Sequence, residues 1–503
     1  MNRTTLSAIL LSSLLAWFLL VACSSGSSSN NSVGRPATDD DTADDDTGDD
    51  DGLPTDDDAS PTDDDAQADP YAGFSPVGKK LDEILAINGQ MGGTDFDTVH
   101  PFETDRLNEA GMTMARTDFF WGDIEPQEGV WALDKYDTIV DVFSAAGIKV
   151  TAILDYGVSW AMPDGSPSEI DPTVWADFAG HVAAHFADRI DIYEIWNEEN
   201  GSWTWPPEPD PPHYGEMLKT SYAAVHANDS AATVLLGGLM PAAGIEDFLQ
   251  NGLFGFLSAM YAAHPDICDY FDALAIHPYT LAQFVSPEFV LDFLIGKYPD
   301  LVGVIQAARD RLAAMGCPDK PICMTELGWP HYYIGTDRQG AYTARSLLLA
   351  LAAGVDYDYS YAFWDQQYGD GNTEATFGMF TWPHDNPTAK PSYKAWLGAH
   401  KSIGQSRYAG DLGARLHWPQ DQLALALVDD AGTWTVALWH SKVLLETGVP
   451  VTVPLPREGT GSWELYDQEG NLLSSGKAAD GPAHVVLVGH MQYLRVSAGN
   501  QQQ

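Results

Sequence analysis

Two short stretches carry carboxylates in settings suited to chemistry. One reads Tyr193-Glu194-Ile195-Trp196-Asn197-Glu198-Glu199-Asn200, the other Met324-Thr325-Glu326-Leu327-Gly328-Trp329-Pro330. Each puts a glutamate where an apolar, β-rich run gives way to a loop. Two carboxyl groups facing one cleft can split a glycosidic bond. One is protonated and donates to the leaving oxygen; the other is ionised and attacks the anomeric carbon. Mutual repulsion and unequal surroundings separate their pKa values. Either glutamate alone reads as a surface acid. The two motifs together make Glu198 and Glu326 the candidate catalytic pair.

Those acids need elements that bring them together across 128 positions. From about residue 80, short apolar runs alternate with longer amphipathic stretches, the pattern of βαβ units. Eight strands are predicted: Leu85–Gly89, Thr113–Asp118, Ile148–Tyr156, Ile190–Trp196, Thr233–Leu239, Ala273–Tyr279, Pro321–Leu327 and Tyr357–Trp364. Helices are predicted over Leu133–Ala146, Thr173–Ala187, Gly215–Ala227, Pro287–Ala314 and Arg338–Ala353. Eight strand–helix units make an α/β fold, a (β/α)₈ TIM barrel over residues 73–400, whose catalytic groups belong at the C-terminal strand ends. A doubly wound sheet is the alternative, but no Gly-rich phosphate loop follows the first strand. After Lys401 the helical pattern stops. Short alternating runs, among them Leu423–Val428 and Thr433–Trp439, predict a small β-sandwich over 401–500 as an accessory domain.

The strand ends resemble those of clan A glycoside hydrolases, most of all family 39, the β-xylosidase and exopolysaccharide endoglycosidase group. The resemblance rests on Arg116-Thr117-Asp118-Phe119-Phe120-Trp121 with Ile124-Glu125-Pro126, on Glu194 to Asn200, on Gly237-Gly238, on Ala275-Ile276-His277-Pro278-Tyr279 and on Glu326. The clan pattern usually has Pro after the acid/base, where this chain has Glu199. The resemblance implies that Asn197 bonds the sugar 2-hydroxyl, that Arg116 and Tyr279 hold Glu326 ionised, that His277 lines the same subsite and that Trp364 forms a platform under the sugar. Structural roles are the alternatives: a buried ion pair for Arg116, satisfied core polarity for His277 and Tyr279, core packing for Trp364. Trp121, Trp160 and Trp329 are further candidates on predicted top loops, with Asp155, Tyr156, Trp203, Trp205 and Tyr332; about half should touch substrate. The expected reaction is double displacement with retention, needing no cofactor and no metal. A non-catalytic glycan-binding protein on the same barrel is the competing reading.

The N-terminus reads as an export signal over residues 1–22. Leu20-Val21-Ala22-Cys23 resembles a bacterial lipobox, which implies lipidation of Cys23 and, with Ser24 following, an outer-membrane or cell-surface location; an ordinary signal peptide is the alternative. Residues 23–72 read as a disordered linker, with sixteen aspartates between positions 39 and 69. The net charge of −47 disfavours nucleic acid as a partner. Carbohydrate and, through the anchor, the membrane are the expected partners of a monomer. Cys268 and Cys317 both precede neighbouring strands, six and seven, so they are the disulfide candidate. Cys323 differs in parity from Glu326, which predicts that it faces the surrounding helices.

Overall fold

The structure is a computed structural model. It describes residues 69–89, 101–279, 284–293, 296–366, 374–381, 387–442, 447–456 and 461–497. The expected signal peptide, most of the Asp-rich linker and Cys23 lie outside them. Among the described residues no helix is long and apolar enough to cross a membrane.

Eight parallel strands close into a barrel in sequential order. They are β1 (Leu85–Asn88), β2 (Met114–Phe120), β3 (Lys149–Asp155), β4 (Ile192–Ile195), β5 (Thr233–Leu239), β6 (Ala273–Ile276), β7 (Ile322–Leu327) and β8 (Tyr357–Tyr361). The main surrounding helices are α1 (Pro101–Glu109), α2 (Asp134–Ala145), α3 (Pro172–His185), α4 (Pro211–Asn228), α5 (Gly255–Ala263), α6 (Leu301–Met315), α7 (Thr336–Ala353) and α8 (Pro391–Ile403). Two starts follow from Asp-Pro pairs. The Asp171 and Asp210 side chains accept from Thr173 and His213 backbone N–H groups, with Pro at the first helical position. The predicted helix over 287–314 is a correction. Its first part is a short hairpin, Leu291–Phe293 against Gly296–Tyr298, and α6 starts only after Asp300 caps it through the Gly303 N–H.

The barrel interior is layered. The lower layer is apolar: Ala86, Met114, Ile192, Leu235, Ala273, Ala275, Cys323 and Tyr359. Cys323 therefore faces inward, against expectation. Asp358 and Ser360 of β8 pair with Met324 and Leu327 of β7, so one extra residue sits in β7 at Thr325–Glu326. Such a bulge resets the alternation, and Cys323, Thr325 and Glu326 all point into the barrel. Below the strands, Cys268 and Cys317 form a disulfide with Cα atoms 6.0 Å apart.

The C-terminal strands are β9 (Ser406–Asp411), β10 (Gln422–Asp429), β11 (Trp434–His440), β12 (Val449–Val453), β13 (Ser462–Asp467), β14 (Leu472–Lys477), β15 (Ala483–Leu487) and β16 (Gln492–Val496). Six form an antiparallel sheet in the order β9-β10-β11-β16-β13-β14, and β12 pairs with β15. Alternate side chains serve different cores. Ala424, Ala426, Val436 and Leu438 pack toward β12 and β15, while Leu425, Leu427, Ala437 and Trp439 join the barrel core. Tyr71, placed in the linker by sequence, packs into the sandwich core, and its hydroxyl donates to the Pro454 carbonyl at 2.9 Å.

Candidate active site

Above the apolar layer lies a charged one. The Arg116 guanidinium donates to both Glu194 oxygens, at 2.8 and 3.1 Å, and to Asn197 Oδ1 at 3.0 Å. Its Nη1 lies 3.6 Å from Glu326 Oε2. Thr325 donates to Glu194 from the facing strand at 3.1 Å. Burial opposes the charge on Arg116, but Glu194 and Glu326 outweigh it and the guanidinium stays charged. Arg116 is thus both the structural ion pair and the cation beside Glu326.

Just past β4 the backbone takes left-handed conformations at Trp196 (φ 71°) and Glu198 (φ 52°). Each costs about 1–2 kcal/mol for a residue with a side chain. The turn sends Trp196 into the core and Asn197 and Glu198 into the barrel mouth. Glu199 turns into the wall beside Gly237, and burial drives its carboxyl well up, so it is a neutral acid behind the site. The glycine pair of β5 is needed because any Cβ at Gly238 would run into His277, and one at Gly237 into Glu199.

Glu198 and Glu326 come together. One oxygen of each and a ring nitrogen of His277 all lie within 4.8 Å of one another. Glu326 accepts from Tyr279 Oη at 2.7 Å and from Asn88 Nδ2 at 3.3 Å. Glu198 Oε1 contacts His277 Nδ1 at 3.0 Å, and Oε2 accepts from Trp203 Nε1 at 2.8 Å. The tautomer of His277 follows from its other nitrogen. Nε2 lies 3.4 Å from Arg116 Nη2, which can only donate, so the imidazole proton sits on Nδ1 and points at Glu198. Asn197 Nδ2 donates to Tyr156 Oη at 2.8 Å and keeps a second N–H for a ligand.

Burial raises Glu326, and the Glu198 charge adds to this against the pull of His277, Arg116 and Tyr279. Burial raises Glu198 as well, but His277, Trp203 and Arg116 outweigh it and hold it low. Burial also raises Asp118 and Asp155, and the Asp118 charge drives Asp155 well up.

Several expected sugar-binding aromatics are structural. Trp121 is fully buried, donates to Glu125 Oε2 at 2.8 Å and packs on Trp175 and Phe178. Trp160, half-buried, lies edge-on to Trp121 and donates to the Glu125 carbonyl. Trp329 is buried and bonded to the Val285 carbonyl, and Trp205 to Ser168. Trp364 is 7% exposed, donates to Glu103 Oε2 at 3.1 Å and packs among Phe102, Phe363 and Phe380, so it offers no open platform. The aromatic that ends β8 beside Tyr279 is Tyr361, packed with Phe377. Sequence reasoning missed Tyr361 and Asn88. Asn88 had a signal: a lone amide closing the first apolar run. Trp203 and Tyr332 are the exposed aromatics of the set.

Residues 98–369 match the family model for cellulase, glycosyl hydrolase family 5. Comparison with curated proteins gives no match. Similar folds include a family 39 glycoside hydrolase from the gut symbiont Bacteroides cellulosilyticus WH2, with TM-score 0.67, 21% identity, and 83% of this chain and 82% of that chain covered. A monomeric β-xylosidase from Caulobacter crescentus CB15 gives 0.58, 15%, 84% and 98%. A family 30 endoxylanase from Clostridium papyrosolvens C71 gives 0.56, 12%, 84% and 98%.

Proposed function

Since the chain belongs to the cellulase family (glycosyl hydrolase family 5), and so to the clan A glycoside hydrolases that act on O-glycosyl bonds, we propose that it is a retaining β-glycosidase using Glu198 and Glu326. The observation that carries this reading is the approach of one oxygen of Glu198 and one of Glu326 to within 4.8 Å. That suits the spacing of about 5–5.5 Å between carboxyl groups in retaining enzymes, which leaves no room for an inverting water. In the first step Glu326 attacks the anomeric carbon. The C–O bond to the leaving group breaks as the Glu198 proton passes to that oxygen. In the second step Glu198 takes a proton from water, whose oxygen displaces Glu326. Arg116, Asn88 and Tyr279 stabilise the Glu326 carboxylate as it departs. The Asn197 amide supports the sugar 2-hydroxyl, a bond that tightens in the transition state.

The finer resemblance to family 39 and the family 39 folds among its neighbours support testing β-xylosides beside β-glucosides and β-glucans. On a panel of aryl β-glycosides, Glu326→Gln should lower kcat/KM by at least about a thousandfold, and Glu198→Gln by about 10²–10⁴ on poor leaving groups. NMR of the first-formed product should show the β-anomer. Unchanged turnover in Glu326→Gln would remove it as the nucleophile, and no turnover by the wild type with glycan binding kept in Glu326→Gln would favour a protein that only binds glycans.

We also propose export and lipid anchoring through Cys23, with the Asp-rich segment as a solvated spacer. Cys23→Ser should move the protein from the membrane to the soluble fraction. Equal membrane retention would count against the anchor.

A further inference from the structure

Trp203 is unlike its neighbours in the aromatic run after β4. Trp196 and Trp205 are buried, whereas Trp203 is 59% exposed. Its one hydrogen bond, from Nε1, goes to Glu198 Oε2. The indole folds back over Gly201, where a Cβ would meet its ring atoms at 2.7–2.8 Å. The backbone beneath is fixed, because the Glu198 carbonyl accepts from Gly201 N–H at 2.8 Å and from the Thr204 hydroxyl. With His277 on Oε1 and Trp203 on Oε2, both Glu198 oxygens accept hydrogen bonds, and both bonds favour the ionised form over the acid.

Building on the retaining reading, we propose that Trp203 is a positioning residue that clamps the acid/base through Oε2 and swings off it when the leaving-group sugar enters. The exposed ring then meets that sugar's C–H face, and the freed Oε2 carries the proton to the glycosidic oxygen. Two features fit this movement. An exposed side chain held by one polar contact moves at little cost. Losing a donor also raises the proton affinity of Glu198, the change an acid needs and the opposite of its resting state.

The test compares kcat/KM across pH for phenyl and 2,4-dinitrophenyl β-glycosides of whichever sugar, xylose or glucose, the panel shows to be turned over. Trp203→Phe keeps a ring and removes the N–H; Gly201→Ala pushes the indole off while keeping it. Both variants should move the alkaline limb for the phenyl glycoside up by about one pH unit, the worth of one hydrogen bond to a carboxylate. The dinitrophenyl glycoside, whose leaving group needs no acid, should change less than twofold. Superimposable limbs in both variants, or equal losses on both substrates, would overturn the clamp and leave Trp203 a structural residue. Glu198→Gln is the control for the underlying reading. If its alkaline limb matches the wild type, Glu198 is not the acid, whatever Trp203 does.

Discussion

At the level of single residues, the barrel mouth holds more acids than its cations can serve. Arg116 is shared among Glu194, Glu326 and Asn197, so other carboxyls must be met by protons. Glu103 is the clearest case outside the catalytic pair. Buried on α1 and bonded, among the described residues, by the Trp364 N–H alone, it is pushed up to about 8 by burial, and Asp358 is pushed up to about 7 by the same cause. A carboxyl whose folded pKa is raised contributes its full stability below the unfolded value near 4.5. As pH rises from there toward 8, the unfolded chain has already released the proton and the folded chain has not, so stability is lost. The slope is about 1.4 kcal/mol per pH unit for one group. Glu103→Gln cannot titrate, so its melting temperature should fall less than that of the wild type between pH 5 and pH 8. The difference in unfolding free energy between the two should open by about 3–4 kcal/mol from pH 5 to pH 8. Parallel melting curves would show that Glu103 is already ionised in the fold.

At the level of elements, the barrel was legible because buried parallel strands are continuous apolar runs, and all eight lie where such runs occur. The site was legible for a related reason: an ionisable residue closing such a run must sit at the strand's C-terminal end. Asn197, Glu198, His277, Tyr279 and Glu326 all meet there. What could not be read depended on backbone detail. The bulge at Thr325–Glu326 reversed the inference for Cys323, since parity counts only along a regular strand. Pro299 and Asp300 divide a stretch whose composition alone looked helical. The tryptophans failed in a different way. Composition cannot tell a ring that faces sugar from one that fills space between barrel and helices, and Trp121, Trp205, Trp329 and Trp364 fill space. A buried Trp N–H usually finds a partner. In this protein Glu125, Ser168, the Val285 carbonyl and Glu103 meet those four.

For the whole molecule, the decisive contact is the one between barrel and sandwich. Helix α7 is buried along most of its length, which an ordinary outer barrel helix is not. The six-stranded sheet covers this side of the barrel with Leu425, Leu427, Trp439 and Tyr493. Arg345 of α7 is fully buried and donates to the carbonyls of His440 at 2.8 Å, Ser441 at 2.9 Å and Gly489. Glu288 joins the junction, 3.4 Å from Arg345 and accepting from Trp439 Nε1 at 2.7 Å. A cation serving three carbonyls and one carboxylate leaves all of them unpaired when removed. Arg345→Met should therefore cost about 3–5 kcal/mol, read as a lower midpoint in a denaturant melt. It should leave kcat unchanged below that midpoint, since Arg345 makes no contact with the acids of the mouth. Deleting residues 404–503 should be more severe. It bares the apolar side of α7 and α8, and a patch of that kind drives aggregation, so the truncated barrel should be insoluble. A soluble barrel with wild-type turnover would show that the sandwich is an appendage and not part of the core.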